Sequence, residues 1–308
     1  MTFVTRSLPS LDQAQSVREE NITHYQNIQC SHEEQDRIFW CYLNPVDRPS
    51  FTLALLADLY AVQERIRVLA CPTVEGVQSK VGWVVLGSQL PGIFSLGGDL
   101  THFAAKITAG DREGLRQYAY SCVQVAYNNA TGYGGGAISI GLAQGEALGG
   151  GFESLLSCDV LVAERKARFG LPEVLMNLFP GMGAHCFLTR RVGSAAAMRM
   201  ILSGEVVSAE TLHTMGIVDV LAEDGQGEEV VRSYIRRNQS RHKAHSAAYE
   251  ARRRVSPVSL KELREVCDVW VDTAMTLTAS DLRRMTHLVS AQDRRRRRTT
   301  EMAVLAAE

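Results

Sequence analysis

Cysteine is scarce and scattered. The seven in 308 residues (Cys30, Cys41, Cys71, Cys122, Cys158, Cys186 and Cys267) form no CxxC pair and no Cys/His ligand spacing. That excludes a zinc ribbon and gives no disulfide framework; the odd count points to reduced thiols in a cytoplasmic protein. The eight histidines show no metal-ligand pattern, so no metal is expected, and His185 reads as packing. No phosphate loop or dinucleotide fingerprint stands in its required context, so no redox cofactor is expected. The first ten residues lack a basic end followed by an apolar core, and no run approaches the length of a membrane span. A soluble chain with no membrane span is therefore expected. A formal net charge of −1 gives no reason to expect nucleic acid as a partner. One local absence is sharper: between Lys80 and Lys106 there is neither Lys nor Arg.

What is present suffices for a sizeable core, since 45% of the residues are hydrophobic. Residues 1–36 are polar and read as an N-terminal arm. The run Ile38–Leu43, dense in aromatic and β-branched residues, predicts the first strand, ended by Asn44-Pro45. Leu53, Leu56, Leu59, Tyr60 and Gln63 to Ile66 predict a helix with one buried side. Val81 to Leu86 and Ala137 to Ala143 predict strands, with helices starting at Asp99 and running from Asp111 to Asn129. Strand and helix alternate up to Gly170, so the fold class is α/β with repeated crossovers, over residues 37–222. From 223 to 293 the chain predicts helices with Val266, Val269, Trp270, Thr273, Ala274 and Leu277, then Leu282, Met285 and Leu288, at helical spacing. Residues 294–308 form a basic tail opening with five arginines, Arg294 to Arg298, read as a solvated run.

The chemistry centres on Gly145 to Gly183. Nine of the 25 glycines fall between Gly132 and Gly151, more than ordinary turns need. The triplet Gly149, Gly150, Gly151 lies between a strand and a helix. The first amides of a helix have no partner within it and carry its positive end, so a bare glycine turn there offers N–H groups to an oxyanion. A second pair, Gly97-Gly98, follows another apolar run. Two amides converging on one thioester oxygen could hold an enolate, and the pair chosen is Gly98 with Gly150. Two acids follow, Glu153 inside the helix's first turn and Glu173 after Phe169-Gly170-Leu171-Pro172. Either alone reads more plainly as a solvated carboxylate. Brought to one pocket, they could take a proton from one carbon and give one to a departing hydroxyl.

As an ordered set, Phe94-Ser-Leu-Gly-Gly-Asp-Leu100, Gly145-Glu-Ala-Leu-Gly-Gly-Gly-Phe-Glu153, Cys158-Asp159, Ala167-Arg-Phe-Gly-Leu-Pro-Glu173, Phe179-Pro-Gly-Met-Gly183 and Leu202-Ser-Gly204 closely resemble the crotonase (enoyl-CoA hydratase/isomerase) superfamily. Phe179-Pro-Gly-Met-Gly-Ala184, Met215-Gly-Ile-Val-Asp219 and Trp270-Val-Asp-Thr-Ala-Met275 look like the diffusible signal factor synthases of bacterial quorum sensing. The resemblance implies a spiral of repeated ββα units, with C-terminal helices capping an acyl pocket lined by Met182, Trp270 and Leu288. It implies dehydration of a 3-hydroxyacyl thioester and release of a cis-2-unsaturated fatty acid. Glu173 is the candidate for the C2 proton and Glu153 for the C3 hydroxyl, without fixing which serves which step. Because coenzyme A phosphates ordinarily recruit Lys or Arg near the first oxyanion loop, their absence there favours acyl carrier protein, with its phosphopantetheine arm, as the partner. The family also implies homo-oligomers and a signal-sensor partner. Two other readings compete: an ordinary enoyl-CoA hydratase or isomerase, and a crotonase-like interaction module.

Overall fold

The computed structural model describes residues 25–71, 78–288 and 290. Two sheets, nearly all parallel, set the frame. The larger has the order β1-β2-β3-β5-β7-β10, made of β1 (Ile28–Glu33), β2 (Ile38–Leu43), β3 (Trp83–Ser88), β5 (Ile138–Ala143), β7 (Val160–Glu164) and β10 (Val220–Ala222). The smaller has the order β4-β6-β8-β9, made of β4 (Ile93–Ser95), β6 (Glu146–Leu148), β8 (Arg168–Gly170) and β9 (Val206–Ser208). Successive long strands of the first sheet alternate along the chain with short strands of the second, so the backbone winds in repeated turns. The sequence predicts β2, β3 and β5 as strands and misses the three-residue strands, which are too short to show a period of two.

One boundary differs from expectation. The arm of residues 1–36 was to precede the first strand, but Ile28–Glu33 is itself a strand, antiparallel to β2. Its outer residues Gln29 and Ser31 are exposed while Ile28 is buried, as befits an edge strand. That mixed composition hides it in the sequence. The rest of the arm, residues 1–24, and the tail of residues 294–308 lie outside the described residues.

The inner strands are buried on both faces, which is why they read as continuous apolar runs. Phe39, Cys41 and Leu43 of β2 face the main core with α1 (Leu53–Ala70); Ile38, Trp40 and Tyr42 face a second cluster closed by Val231 and Ile235 of α8 (Gly227–Asn238). In α1, Leu55, Leu56, Leu59, Val62, Gln63 and Ile66 are buried, whereas Leu53 and Tyr60 are about half exposed, so the buried stripe is narrower than the sequence predicts. Asp99 caps α2 (Leu100–Thr108) and Asp111 caps α3 (Arg112–Ala130), each accepting from amides of the first turn. No helix among the described residues is long and apolar enough to cross a membrane.

The chain's last helices pack back on this core. Before them come α4 (Gly150–Leu156), inside the stretch Gly145 to Gly183, then α5 (Ala184–Val192), α6 (Ser194–Ser203) and α7 (Ala209–Thr214); after α8 come α9 (His242–Val255), α10 (Leu260–Ala274) and a helix over residues 279–288. Helix α9 buries no residue of its own. It is tied down by charge: Arg252 and Arg253 reach Asp159 at 2.6 and 2.7 Å, and Asp159, 2% exposed, also accepts from Ser139 N at 3.1 Å. Burial raises the Asp159 carboxyl pKa, with the two arginines opposing. Removing one partner of such a pair leaves buried donors unanswered. Asp159→Ala is expected to lower unfolding stability by about 3 kcal/mol in denaturant titration, while Arg254→Ala, on the exposed side of α9, changes it little.

Candidate active site

The glycine turn ahead of α4 shows why side chains are absent from it. Gly149 has φ +50, and a side chain there would strike Glu173 Oε1. A Cβ on Gly150 would sit 3.2 Å from Met182 Sδ and 3.6 Å from Gly98 N. Upstream, Gly97 has φ +96, and a Cβ on it would come 3.2 Å from Gly150 N; one on Gly98 would run into the Phe103 ring. The two backbone turns are thus pressed together, and Gly98 and Gly150 both line the same cavity. Neither amide donates to a loop or turn carbonyl among the described residues. Phe51 N–H bonds Gly97 O at 2.8 Å, and Tyr118 Oη donates to Phe51 O at 2.6 Å while accepting from Asp99 N, so the first loop is braced from both sides.

The cavity, about 220 Å³, is lined by both glycines, both glutamates and mainly apolar side chains. Met182, Trp270 and Leu288, from three separated parts of the chain, all line it. Trp270 meets Phe103 edge to face at 5.0 Å and lies against Gly181, where a Cβ would come within 2.8 Å of the indole. Helix α10, which carries Trp270, is fastened on its outer side: Arg116 to Asp268 at 2.9 Å, Arg112 to Asp272 at 2.7 Å and Arg190 to Glu262 at 2.9 Å. Val269, on that outer side, is exposed rather than part of the inner stripe.

Glu153 Oε1 accepts from Met182 N at 2.8 Å and Ala184 N at 2.9 Å, amides at the start of α5. Burial pushes its carboxyl up to about 7, and those amides hold it from rising further. Glu173 differs. Its carboxyl end is enclosed, Oε2 has no partner, and burial together with the neighbouring Glu153 pushes it well above the ordinary carboxylate range. The two therefore titrate as a pair. Above about pH 7, where Glu153 ionises, the pair holds one charge, on Glu153 where the amides are, and one proton, on Glu173; below it both carboxyls keep their protons.

Sequence reasoning passed over three cavity residues: Tyr118, Phe103 and Glu146. The first two belong to helical apolar stripes and gave no signal beyond core. Glu146 was visible inside the glycine-rich motif as a third acid, 8% exposed, sharing with Leu148 the side of β6 that faces the cavity.

A family model described as enoyl-CoA hydratase/isomerase matches residues 47–285. The chain belongs to this family. The 2,3-dehydroadipyl-CoA hydratase of Escherichia coli (strain K12) is 38% identical over 132 residues, 42% of this chain and 48% of that protein. The chain thus matches about half the length of that curated relative. Among solved structures, the enoyl-CoA hydratase from Bacillus halodurans superposes with a TM-score of 0.70 at 20% identity, covering 85% of this chain and 100% of that one. Human mitochondrial delta3-delta2-enoyl-CoA isomerase gives 0.71 at 16%, covering 88% and 99%. At such identities the likeness is one of fold, the α/β spiral of the hydratase/isomerase family.

The buried acids predict a trade between stability and activity. An unfolded glutamate ionises near its ordinary pKa, whereas folded Glu173 keeps its proton, so the native state loses stability as pH rises above that ordinary value. Glu173→Gln does not titrate. Its melting temperature is expected to match the parent near pH 4 and exceed it increasingly from pH 5 to 8, as scanning calorimetry at each pH would read.

Proposed function

We propose that the chain is a diffusible signal factor synthase, converting a 3-hydroxyacyl group on acyl carrier protein into a free cis-2-unsaturated fatty acid. The reading rests on one arrangement: two enclosed carboxyls that share a proton, beside two backbone amides, in an apolar cavity. The thioester oxygen accepts from Gly98 and Gly150, so that charge developing on it as the C2 proton leaves is met by fixed dipoles. Glu173 serves C2 and Glu153 the C3 oxygen. Dehydration starts from the form in which the shared proton stands on Glu153: Glu173 takes the C2 proton, the C3–O bond breaks, and the hydroxyl leaves as water with the Glu153 proton. This leaves the proton on Glu173, which is the resting arrangement. A water activated by one of the same glutamates, which takes its proton, then adds to the thioester carbonyl; the same amides hold the tetrahedral oxyanion, the C–S bond breaks, and the pantetheine sulfur departs with that proton.

Support for carrier protein over coenzyme A comes from the rim. Two cations near the first oxyanion loop are already engaged, Arg48 with Asp99 and Thr101, and Lys106 with Asp111 at 2.6 Å. A protein partner would supply the contacts that a nucleotide would otherwise need. No metal or cofactor takes part in this scheme. The family resemblance extends the proposal to a homo-oligomer and to a sensor protein as a second partner.

A second reading, hydration of trans-2-enoyl coenzyme A, is favoured by the resting proton on Glu173, ready for delivery to C2, and by the names of the relatives. The two are separated by product. With 3-hydroxyacyl carrier protein the expected outcome is a free cis-2-enoic acid detected by mass spectrometry; fast hydration of trans-2-enoyl coenzyme A with no acid released would establish the second reading. Glu153→Gln and Glu173→Gln are each expected to slow acid release by about 10²-fold or more, and full activity in either removes that residue from the scheme. Since chemistry needs one charge on the pair, kcat/KM is expected to rise with pH through about 7, where Glu153 ionises, and to level above it. A profile that instead falls through that value would assign the fully protonated pair.

A further inference from the structure

The scheme leaves unused one pair of thiols on the sheet edge. In the antiparallel pairing of β1 with β2, Cys30 stands directly opposite Cys41. Asn44 N donates to Asn27 O at 2.8 Å, so the pair just outside the ladder is a hydrogen-bonded one. Opposed pairs alternate along such a ladder, which makes Ile28 with Leu43 non-hydrogen-bonded, Gln29 with Tyr42 hydrogen-bonded and Cys30 with Cys41 non-hydrogen-bonded. This is the kind with the closer approach, Cα atoms about 4.5 Å apart, inside the window of about 4.4–6.8 Å that a disulfide spans. Both thiols are free; Cys41 is buried and Cys30 is partly open to solvent.

We propose that Cys30 and Cys41 are a reversible oxidation site that hydrogen peroxide converts to a cross-strand disulfide. Cys30 gives up its thiol proton and its sulfur attacks one peroxide oxygen. The O–O bond breaks, hydroxide leaves and takes up a proton as water, and Cys30 becomes a sulfenic acid. Cys41 sulfur then attacks the Cys30 sulfur. The S–O bond breaks, and the departing hydroxide takes the Cys41 proton as a second water. Two thiols lose two electrons and one peroxide becomes two waters.

The order of attack follows from the surroundings. A side-chain hydrogen bond with Cys41 holds the Cys30 thiol below its ordinary range, and Arg65 of α1 acts in the same direction against burial and Asp58. That interaction and burial push Cys41 up, so it stays protonated until it resolves the sulfenic acid. The site stands apart from the cavity residues, and it holds whether or not the proposed synthase activity does.

The test is peroxide treatment of the full-length protein, followed by denaturation, maleimide alkylation and peptide mass spectrometry without reductant. Two of the seven thiols are expected to become unreactive, with the peptides carrying Cys30 and Cys41 joined at a mass about 2 Da below the two free thiols. Dithiothreitol should restore both. Cys30→Ser, at the partly open position, should abolish the loss while leaving the other thiols as they were; Cys41→Ser should leave Cys30 as a sulfenic acid trapped by dimedone. The proposal is overturned if all seven thiols stay reactive, if the loss survives Cys30→Ser, if Cys30 passes to sulfinic acid with Cys41 free, or if the link joins two chains on a non-reducing gel.

Discussion

The site depends on holding a carboxylate away from water. Glu153 lies in the interior because the amides of Met182 and Ala184, at the head of α5, stand where water would otherwise be. Without them, burial would keep the group neutral, and the pair would carry no charge near pH 7. With them, one carboxyl can ionise from about pH 7 upward while the other is forced to keep a proton. The asymmetry that acid–base chemistry requires thus comes from backbone placement, and the two glutamate side chains are chemically identical.

The same placement explains the glycines. Gly149 leaves room for the Glu173 carboxyl, Gly150 for Met182, Gly98 for the Phe103 ring and Gly181 for Trp270. Each gap is filled by a group that lines or acts in the cavity. The concentration of glycine is therefore a record of close approach more than of turning. Gly97 and Gly149 also need positive φ, and each precedes a glycine that lines the cavity.

Much of this was legible in the sequence because it is local. The long strands are buried on both sides and appear as apolar runs, and the motif between Gly145 and Gly183 puts both acids within one winding of the chain. Long-range relations were less visible. That Trp270 and Leu288 meet Met182 came only from resemblance, since nothing in a helical stripe says which surface it covers. The strand at Ile28–Glu33 was lost in a polar segment because an edge strand exposes half its residues. The charge balance between Glu153 and Glu173 was out of reach too, as it follows from amides thirty residues away in the chain.

The roof over the cavity is fastened differently from its floor. Beneath lie strands buried on both faces; above, α10 is held on its outer edge by Arg116–Asp268, Arg112–Asp272 and Arg190–Glu262, all partly open to solvent. Such surface pairs contribute little each and weaken as salt screens them. The inner face of α10 is packed into the main core through Leu263, Cys267, Trp270, Val271 and Ala274, so salt loosens the outer fastening and leaves the apolar contact in place. On the proposed reading, the reach of the acyl chamber can therefore change by altering cavity-lining residues of the cover, such as Trp270, without disturbing the two glutamates below.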